Sequence, residues 1–117
     1  RMFLAGDSAH LNSPKGGMGM NGGIHDAWSL AKKIISVFNG ENSIILDQYE
    51  RQRRTIALED IIAQTNKKRE IMMAKSTEEK VAYLKELQSI AANPALSRQY
   101  LLRSSMIEGL RRAEKIR

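Results

Sequence analysis

At 117 residues, with a formal net charge of +6 and an apolar fraction of 42%, the chain has room for one domain and one modest core. It contains no cysteine, which excludes disulfides and cysteine-based metal sites and fits a cytoplasmic protein, and no apolar run approaches the ~18 residues of a membrane-spanning helix. The basic residues are interspersed with acidic ones, and only 5% of residues are aromatic, so nucleic acid is not an expected partner.

Met2 to Ala5 is a continuous apolar run of the kind buried in a parallel sheet, and it predicts one N-terminal strand. No second strand follows it, and the chain opens on Arg1. The expectation is therefore the C-terminal part of a larger protein, with the rest of the sheet supplied by a missing N-terminal part. Gly6 to Gly23 is loop and holds six of the eight glycines, punctuated by Pro14 and Gly16-Gly17. From Ile24, Ala27, Leu30, Ala31, Ile34, Val37 and Phe38 recur at helical spacing, and Trp28 and Ile35 widen that face. This predicts a helix buried on most sides, with Trp28 as a core anchor and only Ser29, Lys32, Lys33 and Ser36 facing water. Asn39-Gly40 ends it.

A long helical pattern starts near Ser43 and runs through Ile45, Leu46, Tyr49, Ile56, Leu58, Ile61 and Ile62. Its polar run Glu50-Arg-Gln-Arg-Arg54 reads as a solvated face with Glu50 and Arg54 paired at i,i+4, or as a basic patch contacting an anion. Ser76-Thr-Glu-Glu79 has capping-box form and opens a third helix, striped by Val81, Leu84, Leu87 and Ala91. Asn93-Pro94 starts a fourth, carrying Leu96, Leu101, Ile107 and Leu110, and residues 111–117 are expected to fray.

The chemistry concentrates in the glycine loop. Asp7 follows the expected strand, where open α/β folds bind ligands, and an ionised carboxylate there accepts hydrogen bonds from sugar or polyol hydroxyls while repelling phosphate. Glycines let the backbone approach a flat ring or a diphosphate. The helix N-terminus near Asn21 to Ile24 offers free N–H groups and the positive end of a dipole to an anion. His10 reads as a structural hydrogen-bonding residue and His25 as a neutral packed one. Two histidines without carboxylates at ligand spacing predict no metal site, and no nucleophile–base pair is present, so no catalytic residue is assigned. Met18, Met20, Met72, Met73 and Met106 read as core or loop filler.

Gly6-Asp7-x-Ala9-His10-x3-Pro14-x-Gly16-Gly17-x-Gly19-Met20-Asn21-x3-His25-Asp26-Ala27-x2-Leu30-Ala31 resembles the second FAD motif of flavin-dependent aromatic hydroxylases, the para-hydroxybenzoate hydroxylase family. Leu46-x2-Tyr49-Glu50-x2-Arg53-Arg54 resembles its continuation, so the likeness covers residues 1–54. The resemblance implies an α/β fold, a fragment of an FAD-binding Rossmann-like domain. Residues 1–40 are the strand, GD loop and helix of that domain, and 41–117 a helical C-terminal segment. It implies FAD contacts at Gly6, Asp7, Pro14, Gly17, Gly19, Met20 and Asn21, with Asp7 on the ribitol, Pro14 near the reactive edge of the ring, and the Met20 and Asn21 amides at its pyrimidine side. It also implies an oxidoreductase in which NADH or NADPH reduces the flavin and one oxygen atom of O2 passes to an aromatic substrate. The G-x-G-x-x-G fingerprint for the ADP half does not occur as a strand–loop–helix signature, so this segment alone is expected to bind FAD weakly and to be inactive. The alternatives are another GD-motif flavoenzyme, such as a halogenase or reductase, and a small basic helical module binding nucleic acid or protein.

Overall fold

The computed structural model describes residues 1–73 and 76–117. Two short 3-10 turns, Gly6–Ser8 and Pro14–Gly16, precede a series of helices. These are α1 (Gly19–Phe38), α2 (Ile45–Ile56), α3 (Ala63–Met73), α4 (Thr77–Ala92), α5 (Pro94–Ser104) and α6 (Ile107–Ala113), with a π-helical stretch, Ala57–Ile62, joining α2 to α3.

The predicted strand at residues 2–5 does not form, and no strand occurs among the described residues. A strand needs a neighbour to pair its N–H and C=O groups, and none of the described residues supplies one. Side chains of α2 hold the segment instead. Arg1 donates to the Asp47 carboxylate at 3.0 Å, the Phe3 ring meets Tyr49 edge-on at 6.3 Å, and the Tyr49 hydroxyl donates to the Leu4 carbonyl at 2.7 Å. Within this chain the architecture is therefore mostly helical, as expected of this piece of an α/β domain, but without the one expected N-terminal strand.

Helix α1 starts at Gly19, earlier than the apolar pattern suggests, and it is not buried on most sides. Only Gly22 and Asp26 of its residues are buried, while Trp28 is 68% and Phe38 90% exposed. Trp28 is thus no core anchor, because α2, the Gly6 turn and the π-helical stretch pack on the face that carries Gly22 and Asp26. Lys33, expected in water, is half-buried and donates to Gln52 Oε1 at 2.9 Å.

Residues 45–73 form one uninterrupted helical rod. The wider π turn lets two successive residues face inward: Ile61, 1% exposed, meets Met18 and Met106 in the small core, and Asp60 accepts from Arg112 Nη1 at 2.7 Å. Met18 and Met106 are thus core, as expected of filler, whereas Met20, Met72 and Met73 are exposed.

Ser76 caps α4 by accepting from the Glu79 N–H at 3.1 Å, and Asn93 caps α5 through the Ala95 and Leu96 amides. The expected fourth helix is split, because Met106 turns left-handed (φ +65°) to bury its side chain. Residues 111–117 do not fray either. Gln48 and Gln52 both donate to the Ile116 carbonyl, Arg51 donates to that of Arg117, and Arg112 pairs with Glu59. The molecule is elongated, 57 × 29 × 18 Å, with a radius of gyration of 17.1 Å. A compact chain of this length has a radius of about 13 Å. That shape leaves apolar side chains of α4 and α5, such as Leu84 and Leu101, in solvent.

Candidate functional site: the glycine loop and the first turn of α1

The loop is shaped by where side chains are missing. Gly6 has a left-handed φ of +63°, and it crosses α1 at Gly23, where an added Cβ would lie 3.3 Å from the Gly6 Cα. At the second turn, a Cβ on Gly16 would sit 2.0 Å from Thr65 Cγ2, so the turn rests directly on α3. Lys68 adds a bond to the Gly16 carbonyl at 3.3 Å.

Between these anchors, the chain presents the residues expected to meet a cofactor. Asp7, Pro14, Gly17, Met20 and Asn21 are exposed, and Gly6 and Gly19 are half-buried. The first intrahelical bond of α1 runs from the Gly22 N–H to the Met18 carbonyl at 2.8 Å, and no side chain among the described residues caps the helix. The amides of Gly19, Met20 and Asn21 are therefore open to an external acceptor at the positive end of a 20-residue helix.

Beneath the loop lies a network in which His10 makes the structural hydrogen bond expected of it, while sequence reasoning left Asp26 without a role of its own. Asp26 is 1% exposed. Its Oδ2 accepts from the Gly6 N–H at 2.9 Å and from His10 Nε2 at 2.8 Å, and its Oδ1 accepts from Arg53 Nε at 2.6 Å. Burial pushes the Asp26 carboxyl up, but the hydrogen bonds from Arg53, Gly6 and His10 outweigh it and hold the group below the ordinary carboxylate value. An ionised Asp26 makes His10 Nε2 the donor, which leaves Nδ1 buried without a partner, as is Arg53 Nη2. Burial and the Arg53 charge lower the His25 pKa despite Asp26, consistent with a neutral ring.

The polar run of α2 thus divides. Glu50 and Arg54 pair in solvent at 3.5 Å, as expected, whereas Gln52 and Arg53 are buried, because α1 carries a carboxylate that needs a cation. The signal was available. Asp26 lies four residues from both Gly22 and Leu30, so an acid stands in the inward register of a helix and requires a partner. Removing either member of such a pair typically costs about 3–5 kcal/mol.

A groove of about 720 Å³ opens on the Arg53 side, between residues 1–4 and α2, and none of the seven expected cofactor contacts lines it. The α1 amides and the exposed Asp7 carboxylate lie on the loop instead. Among the described residues, no three His, Asp or Glu side chains converge as metal ligands, and no helix is long and apolar enough to cross a membrane.

Residues 1–65, more than half of the chain, match the family model described as FAD binding domain. The chain belongs to the FAD binding domain family. This FAD-binding segment is 33% identical over 116 residues to para-nitrophenol 4-monooxygenase of Pseudomonas sp. (strain WBC-3), covering 98% of the segment and 29% of that relative. It is 44% identical over 73 residues to pentachlorophenol 4-monooxygenase of Sphingobium chlorophenolicum, covering 62% and 13%. Rifampicin monooxygenase of Rhodococcus hoagii is 41% identical over 73 residues, covering 62% and 15%. The FAD-binding segment spans less than a third of each of these relatives. No solved structure matches it. The relatives named here are monooxygenases, and the residues of this FAD-binding segment fit the cofactor of its family: the α1 amides are uncapped and the Asp7 carboxylate is exposed.

Proposed function

We propose that the chain forms the ribitol- and ring-facing part of the FAD site of an aromatic-ring monooxygenase that uses O2 and NADH or NADPH. The observation that carries this reading is the uncapped first turn of α1, with only the Pro14–Gly16 turn between it and an exposed Asp7. Asp7 accepts hydrogen bonds from the ribityl hydroxyls. The open amides of Gly19, Met20 and Asn21 receive the pyrimidine edge of the ring, where the helix dipole favours negative charge. Gly17 has nothing within 4 Å of where a Cβ would stand, which leaves space for a flat ring to approach. Gly6 fixes the turn, and Pro14 stiffens the loop beside the reactive edge. FAD supplies the redox and oxygen chemistry, and these residues bind and orient it.

Residues 1–40 carry the cofactor contacts in this reading, and 41–117 support them from behind. Residues 2–5 join a sheet completed elsewhere in a longer polypeptide. The chemistry that would hold the ADP half of FAD is also supplied elsewhere, so residues 1–117 alone hold the cofactor weakly.

The test is a flavin titration of the polypeptide as it is encoded, beside one of residues 1–117 alone. Asp7→Ala removes a charge-assisted acceptor contributing about 1.5–3 kcal/mol, so FAD binding is expected to weaken about 10- to 100-fold. Unchanged FAD affinity in that variant would overturn the assignment of Asp7. Tight stoichiometric uptake by residues 1–117 alone would overturn the half-site reading.

A further inference from the structure

Of the residues assigned to the cofactor Asp26 bonds only Gly6, and it joins three separate parts of the chain. The Gly6 amide belongs to the first turn, His10 to the loop, and Arg53 to α2. The Gly6 N–H immediately precedes Asp7, so the bond at 2.9 Å sets the backbone from which the Asp7 carboxylate projects. The carboxylate is also a charge inside the helix that offers its N-terminus to the flavin. Five to seven residues separate Asp26 from Asn21 and Gly19, roughly 7–10 Å along the axis. At that depth water screens little, and a bare carboxylate would oppose the partial positive charge at the helix start. Arg53, 5% exposed and 2.6 Å away, cancels it.

We propose that Asp26 and Arg53 are positioning residues of the flavin site: Asp26 pins the Gly6–Asp7 turn and the His10 end of the loop to α1, and Arg53 neutralises that carboxylate so that the first turn of α1 stays electropositive. The proposal rests on the flavin reading above. It assigns neither residue a contact with the cofactor.

The experiment measures the flavin midpoint potential and FAD affinity of the encoded polypeptide as wild type, Asp26→Asn, Arg53→Met and the double variant. Asp26→Asn leaves the Arg53 charge bare and is expected to raise the potential, because a nearby cation favours the anionic reduced flavin. Arg53→Met leaves the carboxylate bare and is expected to lower it. The double variant is expected to return towards the wild-type potential while still binding FAD about tenfold more weakly, since the neutral asparagine oxygen holds the Gly6 N–H less strongly than the carboxylate does. Shifts of the same sign in both single variants, or no shift in either, would overturn the charge-balancing role. Wild-type affinity in the double variant would overturn the positioning role. Arg53→Lys guards against misfolding: it keeps the charge and is expected to keep the potential, and a shift equal to that of Arg53→Met overturns the proposal.

Failure of the flavin reading is separable from failure of the proposal. If the wild type takes up no FAD, that reading falls. The clamp is then read from hydrogen exchange at the Gly6 amide, expected about tenfold faster in Asp26→Asn with the α4 and α5 amides unchanged. Equal exchange at Gly6 in variant and wild type overturns the clamp.

Discussion

Gly16→Ala isolates the contact on which the loop rests. Gly16 does not have a positive φ, so alanine fits its backbone, and the cost is steric. The new Cβ would stand 2.0 Å from Thr65 Cγ2, 2.8 Å from Thr65 Cβ and 3.2 Å from Thr65 Cα. Thr65 is fully buried in α3 and cannot swing into solvent. Either the Pro14–Gly16 turn lifts away or α3 shifts, and overpacking of this kind costs about 1–3 kcal/mol. In thermal unfolding that lowers Tm by about 4 °C per kcal/mol for a chain of this size. Thr65→Ser removes the nearest atom, so a double-mutant cycle is expected to show a coupling of about 1 kcal/mol in favour of the pair, with the Cβ contact at 2.8 Å keeping recovery partial. Gly17→Ala is the control. Nothing lies within 4 Å of its Cβ, but φ is +67°, so it costs about 1–2 kcal/mol by backbone strain and gains nothing from Thr65→Ser. Wild-type stability for Gly16→Ala, or additive effects with Thr65→Ser, would refute the packing argument.

The buried network sets an acid limit on stability. The folded pKa of Asp26 is depressed, so over the range just below its unfolded value of about 3.9 the unfolded chain binds more protons. Its contribution is therefore complete above about pH 4 and is lost as pH falls through the folded pKa. Denaturant midpoints between pH 6 and pH 2 are expected to fall less steeply in Asp26→Asn than in wild type; parallel slopes would contradict this assignment. Trp28, the sole tryptophan, is 68% exposed. For residues 1–117 alone its fluorescence is expected to be red-shifted and open to acrylamide quenching, and a blue-shifted, protected emission would contradict the open face of α1.

The local signals were legible where one residue acts on its own neighbourhood. Ser76 and Asn93 read as N-caps because a short polar side chain reaches amides two or three residues ahead, and both do so. Asn39-Gly40 read as a stop because glycine takes the left-handed φ, here +99° at Gly40. Residues 2–5 form no strand within this chain and Trp28 is exposed for a common reason: an apolar pattern states a demand for a partner surface, and only neighbours in space decide whether it is met. The break at Met106 was invisible because its left-handed backbone is held by side-chain burial beside Met18 and Ile61, remote in sequence.

The site divides in the same way. Sequence alone suggested the kind of chemistry we propose, since glycines, a carboxylate and a helix start are local features that lie close together along the chain. It also determined the family, through the residues around Gly6-Asp7. Only the tertiary structure decided what holds that loop in place. Asp26 and Arg53 stand 27 residues apart and read separately as a motif residue and a solvated charge. Packing α1 against α2 removes both from water, and a buried carboxylate must then find its cation and its N–H donors. That requirement of desolvation ties the turn before Asp7 to a helix that never reaches the loop surface.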